Sequence, residues 1–133
     1  MGIDLRMIQY LGGNAFMDSD SILDSVKKLL GILPDQTEFD EDIILNINAS
    51  LNKLTQAGVG DPSGFYVVDK NDTWSSFLNG DPRLNMVKRF VFLDVKRIFD
   101  PGTSSTISST YKEEMNELLW RLNVYVDQGF SFN

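Results

Sequence analysis

The stretch that most constrains this chain is DPRLNMVKRFVFLDVKRIFDP at 81–101. Asp81 can accept from the unpaired N–H groups of a helix start, and Pro82 gives up no bond at a first helical position. Asp100-Pro101-Gly102 then stops the helix, because proline has no N–H and cannot continue the ladder. Between them Leu84, Val87, Val91, Val95 and Ile98 recur at spacings of three and four, one stripe of a 3.6-residue helix. Phe92 and Phe99 widen the stripe, and Arg89, Lys96 and Arg97 fall on the other side. So wide an apolar arc needs several neighbours. The segment is therefore expected to be the central core helix, and it carries no pattern suited to chemistry.

A chain of 133 residues is one domain of ordinary size, with 42% hydrophobic and 23% charged residues, a globular balance. Its formal net charge of −7 is the reverse of a free-standing nucleic-acid binder, which needs Lys and Arg in excess to neutralise phosphate. Five of the 12 basic residues nevertheless lie within 83–97, so a local basic face remains possible. With no cysteine and no histidine there can be no disulfide, thiolate zinc site, Cys-His dyad or Ser-His-Asp triad. No cofactor or metal is expected. No apolar run approaches the length of a membrane span, and MGIDLRMIQYLGG is too broken by Asp4 and Arg6 for a signal peptide. The expected setting is intracellular, or a particle assembled in the cytoplasm, with no membrane partner.

In chain order, residues 1–17 read either as a frayed terminus or as an N-terminal arm that docks on a neighbouring chain. A helical domain is expected over 18–126 and a C-terminal tail over 127–133. The first helix is expected to begin near Asp18 to Ser21 and to end at Gly31 and Pro34, with Lys27 and Lys28 at the negative pole of its dipole. Thr37 is expected to open the second helix. The carboxylates Glu38, Asp40, Glu41 and Asp42 complement its first turn, and Gly58 stands at the left-handed cap. Asn46, Asn48 and Asn52 are unusual inside a helix and point to surface exposure or to a partner. Asp61-Pro62-Ser63-Gly64 is a turn signal and Phe65 to Val68 have strand composition, so a short extended excursion or small hairpin is expected. Trp74, Phe77 and Leu78 form a short helical turn that either lids the core or offers aromatic contacts. GTSSTISS at 102–109 reads as a polar linker, and Thr110 with Glu113 as the capping box of the last helix, with Trp120 at its flank. Phe130 and Phe132 on a short polar end suggest insertion into another subunit.

Catalytic candidates are weak. Glu113 and Glu117 lie one helical turn apart without a partner pattern, and Asp69, Asn71 and Asp72 lack the twelve-residue calcium loop. No enzymatic activity is expected. The whole reads as mainly α: a small antiparallel bundle of about four helices with a short extended or hairpin insertion.

Five segments in order carry a resemblance: SVKKLLGI at 25–32, FDEDIILNINASLNKLTQAGVG at 39–60, GFYVVDKNDTWSSFL at 64–78, MVKRFVFLDVKRIFDP at 86–101 and EMNELLWRLN at 114–123. Together they resemble the head–tail connector proteins of tailed phages, the adaptor or head-completion proteins of the neck. The resemblance implies a virion structural protein at the head–tail interface. It would form a homo-oligomeric ring, usually dodecameric, docked on the portal protein and linking the DNA-filled head to the tail or the next neck protein. DNA would pass through the channel without specific binding. Candidate partner contacts on this reading are Phe65, Tyr66, Trp74, Arg89, Lys96, Arg97, Phe130 and Phe132. The competing expectation is a DNA-binding packaging or regulatory factor using the basic face of residues 83–97.

Overall fold

The computed structural model describes residues 20–81, 84–99 and 104–127, with the side chains of Leu84, Tyr125, Val126 and Asp127 left out of account. The arm at 1–17, Pro82, the helix stop at Asp100-Pro101-Gly102 and the aromatic pair Phe130 and Phe132 lie outside the described residues.

Five helices follow one another: α1 (Ile22–Leu29), α2 (Asp40–Gln56), α3 (Trp74–Leu78), α4 (Leu84–Phe99) and α5 (Ser105–Asp127). The fold is mainly helical, a small bundle, and no strand occurs among the described residues. α4 packs against both α2 and α5, and α1 lies on α2, so the segment singled out by its apolar arc is the middle of the bundle. Its buried residues are Val87, Phe90, Val91, Leu93 and Val95. Ile98, assigned to the stripe, is half exposed. Phe99 instead meets Phe39 edge to face, with ring centroids 5.8 Å apart.

The caps explain where the helices stop. Ser21 caps α1, its Oγ accepting from the Asp24 N–H at 3.2 Å. α2 ends in a Schellman arrangement: the Gly58 N–H donates to the Thr55 carbonyl, and the Val59 N–H to the Leu54 carbonyl. Gly58 supplies the positive φ of 87° that this turn needs, while Val59 is buried beyond it.

Three local expectations are corrected. α2 begins at Asp40 rather than Thr37, because the chain leaving Pro34 makes tight turns in which the Thr37 carbonyl accepts from the Asp40 N–H. α5 begins at Ser105, so 105–109 is helical rather than linker and Thr110 is no cap. Ser104 takes that role, its Oγ accepting from the Ile107 N–H at 3.2 Å, and the Thr110 hydroxyl donates back to the Thr106 carbonyl. The excursion at 65–68 is extended but forms no hairpin. The Asn48 side chain takes both backbone groups of Val67, its Oδ1 accepting at 2.7 Å and its Nδ2 donating at 3.0 Å. The Asp72 carboxylate accepts from the Val68 and Asp69 N–H groups. Side chains thus satisfy donors that a second strand would have used.

Ser50 is fully buried in α2, and its hydroxyl has no hydrogen-bond partner among the described residues. Ser50→Ala removes a desolvated hydroxyl and improves helix propensity, so it is expected to raise stability by up to about 1 kcal/mol in urea denaturation.

Candidate functional site

Two charges sit inside the core, and both belong to structure. Lys27 is fully buried in α1. Its Nζ lies 2.8 Å from the Asp40 carboxylate at the start of α2 and donates to the Pro34 carbonyl at 3.1 Å. Asp94 is 1% exposed on α4 and accepts from Lys53 of α2 at 2.8 Å and from Arg97 at 3.0 Å. These pairs tie α1 to α2 and α2 to α4. Lys27 therefore does more than complement a helix pole.

The basic face is largely committed within the chain. Arg89 makes a two-point bond to Glu114 of α5, at 2.6 and 3.1 Å, and Arg97 is held by Asp94. Lys96 lies over the Phe92 ring and Lys88 over the Trp74 ring, at 5.7 and 5.9 Å from the centroids. Arg89 and Arg97 are thus paired with acids of their own chain. A face neutralised in this way has less charge to offer phosphate.

The hydrogen bond from Arg89 holds the Glu114 carboxyl below the usual carboxylate range, and the same bond raises the Arg89 guanidinium. Because the folded value of Glu114 is depressed, its contribution to stability is present above the unfolded value. It is lost as the pH falls through the folded value. The pair is exposed and screened, so Glu114→Gln is expected to cost a few tenths to about 1 kcal/mol near pH 7. The cost should shrink towards nothing as unfolding curves are taken into acid.

The expected contacts separate into those at the surface and those inside. Tyr66 is 65% exposed, with Phe65 half-buried behind it and edge to face with Phe77 at 5.4 Å. Trp74, taken from the sequence as a candidate contact, is 1% exposed, and its Nε1–H donates to the Ser25 hydroxyl at 2.9 Å. Its place is in the core between α1 and α3. The reason is local: the Trp74 N–H is bonded to the Asp20 carbonyl, and Ile22 to the Asp72 carbonyl, which draws the ring under α1. Exposed apolar side chains that the sequence reading did not nominate are Leu45, Val68 and Trp120. Trp120 was legible as lying off the apolar stripe of α5. Val68 was not, because it is the clasp of Asn48 on the neighbouring Val67 that leaves it facing outward.

A groove of about 630 Å³ lies between α1, the start of α2 and the loop at 68–71. Leu23, Ile44 and Val68 contribute its apolar surface. Asp24, Asp35, Glu41 and Asp69 contribute carboxylates around it. A second hollow on α5 contains Glu113, Glu114 and Glu117, of which Glu114 is bonded to Arg89 and Glu117 to Arg121. No group of residues suited to holding a metal ion occurs among the described residues. No described helix is long and apolar enough to cross a membrane.

The phage connector protein family model matches residues 22–129, from the first residue of α1 past the end of α5, and the chain belongs to that family. No curated protein and no solved structure matched the chain.

Proposed function

We propose that this chain is a ring-forming subunit of the phage neck that docks on the portal and links the DNA-filled head to the tail or the next neck protein. Membership of the connector family across the whole described bundle carries the reading. Two features support it. Arg89 and Arg97 are neutralised within the chain, which suits a channel past which DNA must slide without being held. The exposed side chains Leu45, Tyr66, Val68 and Trp120 suit contact with other proteins, since apolar and aromatic anchors contribute most of an interface's energy.

A closed ring needs two different faces on each subunit, one fitting the other. Tyr66 on the excursion, Lys96 on α4, and Phe130 and Phe132 in the tail are the contacts assigned to neighbours, portal or next ring. The ring is taken as dodecameric, assembled in the host cytoplasm and carried in the virion neck.

The test is genetic. Mass spectrometry of purified particles should find the protein, and deletion of its gene should leave DNA-filled heads that cannot join tails. Normal virions from the deletion would contradict the reading.

A further inference from the structure

Between α3 and α4 the chain turns through Asn79 and Gly80, and both residues are exposed. Asn79 caps α3 in the left-handed region, with φ 50° and ψ 50°, and no other described residue besides glycine has a positive φ. Gly80 follows with φ 88°, and nothing lies within 4 Å of the place a Cβ would take there. Neither the Gly80 N–H nor the Asn79 side-chain amide makes a hydrogen bond among the described residues.

A backbone nitrogen that follows asparagine can attack the side-chain carbonyl carbon when it is free of hydrogen bonds and unhindered by a side chain of its own. The other described asparagines fail one condition or the other. Those of α2 and α5 precede N–H groups held in the helical ladder. Asn71 precedes Asp72, whose N–H donates to the Asp69 carbonyl at 3.3 Å, and Asn85 precedes Met86, which packs against the core. Asn79 meets both.

The folded turn still restrains the step. With ψ at 50° the Gly80 nitrogen stands on the far side of the Cα–C bond from the Asn79 Cβ, out of reach of Cγ. Rotation about that bond breaks the bond of 3.2 Å from the Asp81 N–H to the Leu78 carbonyl. Buried Trp74, Phe77 and Leu78 keep α3 in place meanwhile, so the opening is local.

We propose that Asn79-Gly80 is a site of self-modification with water as co-reactant, gated by opening of the turn between α3 and α4. The Gly80 nitrogen bonds to Asn79 Cγ, the bond from Cγ to the side-chain nitrogen breaks, and ammonia leaves with the proton that Gly80 gives up. Water opens the resulting cyclic imide at either carbonyl, giving aspartate or isoaspartate at position 79. Either product adds a negative charge at the rim of a hollow that Asp61 and Ser76 also line, and isoaspartate lengthens the backbone by one carbon. This concerns the ageing of the subunit and goes beyond the part it takes in the neck.

Peptide mapping by mass spectrometry, with enzymatic methylation of isoaspartate as a second readout, tests the idea on full-length protein kept in mildly alkaline buffer. In the folded chain Asn79 should convert before any other described asparagine, with isoaspartate among the products. Urea sufficient to unfold the chain should speed that conversion at least about tenfold, an opening cost of about 1.4 kcal/mol or more. Asn79→Gln should abolish it. Conversion of another described asparagine first, or none at Asn79 in the folded chain, overturns the site. Aspartate without isoaspartate overturns the cyclic route, and equal rates with and without urea overturn the gate.

Discussion

Trp74→Ala is expected to lower the unfolding free energy by about 4 kcal/mol and to bring the melting temperature down by more than about 10 °C. The indole is enclosed between α1 and α3, and alanine would leave a cavity that the capped turns on either side cannot collapse to fill. Trp74→Phe keeps most of the ring but removes the Nε1–H that Ser25 accepts, so a loss of about 1 kcal/mol is expected from that change. Differential scanning calorimetry of the dilute protein separates the core role from a contact role. If Trp74 served a partner, Trp74→Ala would leave the monomer's melting unchanged and weaken only assembly.

Asp40→Ala is expected to cost about 3 kcal/mol, because it leaves the Lys27 ammonium buried with only the Pro34 carbonyl to accept from it. The reverse change is milder. Asp40 is 25% exposed and can be hydrated when its partner is lost, whereas Lys27 has no such access. Lys27→Met keeps the apolar stem and removes the desolvated charge, so a change within about 1 kcal/mol is expected. Urea denaturation of the two variants should show this asymmetry. Equal losses would mean that the pair is hydrated from both sides, contrary to the burial of Lys27.

Apolar period carried the sequence reading of the bundle, and it failed where polar side chains took over backbone roles. The stripe of α4 was legible because Val87, Val91 and Val95 keep helical spacing, and α4 does lie between α2 and α5. Lys27 and Asp94 were misjudged or passed over, although each stands one residue after a buried apolar one on its helix's inner stripe. A charge at such a position is the signal that an ion pair lies inside. The start of α5 was missed because a run of serine and threonine looks like a linker. Nothing local distinguishes Ser104 as the cap from its neighbours. Asn48 was noticed as unusual, but its clasp on Val67 joins residues 19 apart and no spacing rule reaches that far.

The surface was the least legible part. Tyr66 was nominated and is exposed, while Trp74 on the same excursion turned inward. Composition marks an aromatic as costly to expose, yet only the bond from the Trp74 N–H to Asp20 decides which of two neighbouring aromatics goes inside. The groove beside α1 was invisible in sequence, since Asp24, Asp35, Glu41 and Asp69 come together only through folding.

Cryo-EM of the intact neck, at a resolution that traces side chains, tests the central claim most directly. The account predicts copies of this bundle arranged as a ring between the portal and the tail side, with acidic or mixed side chains along the channel. A ring position filled by other polypeptides, with this chain absent from the particle, would contradict it.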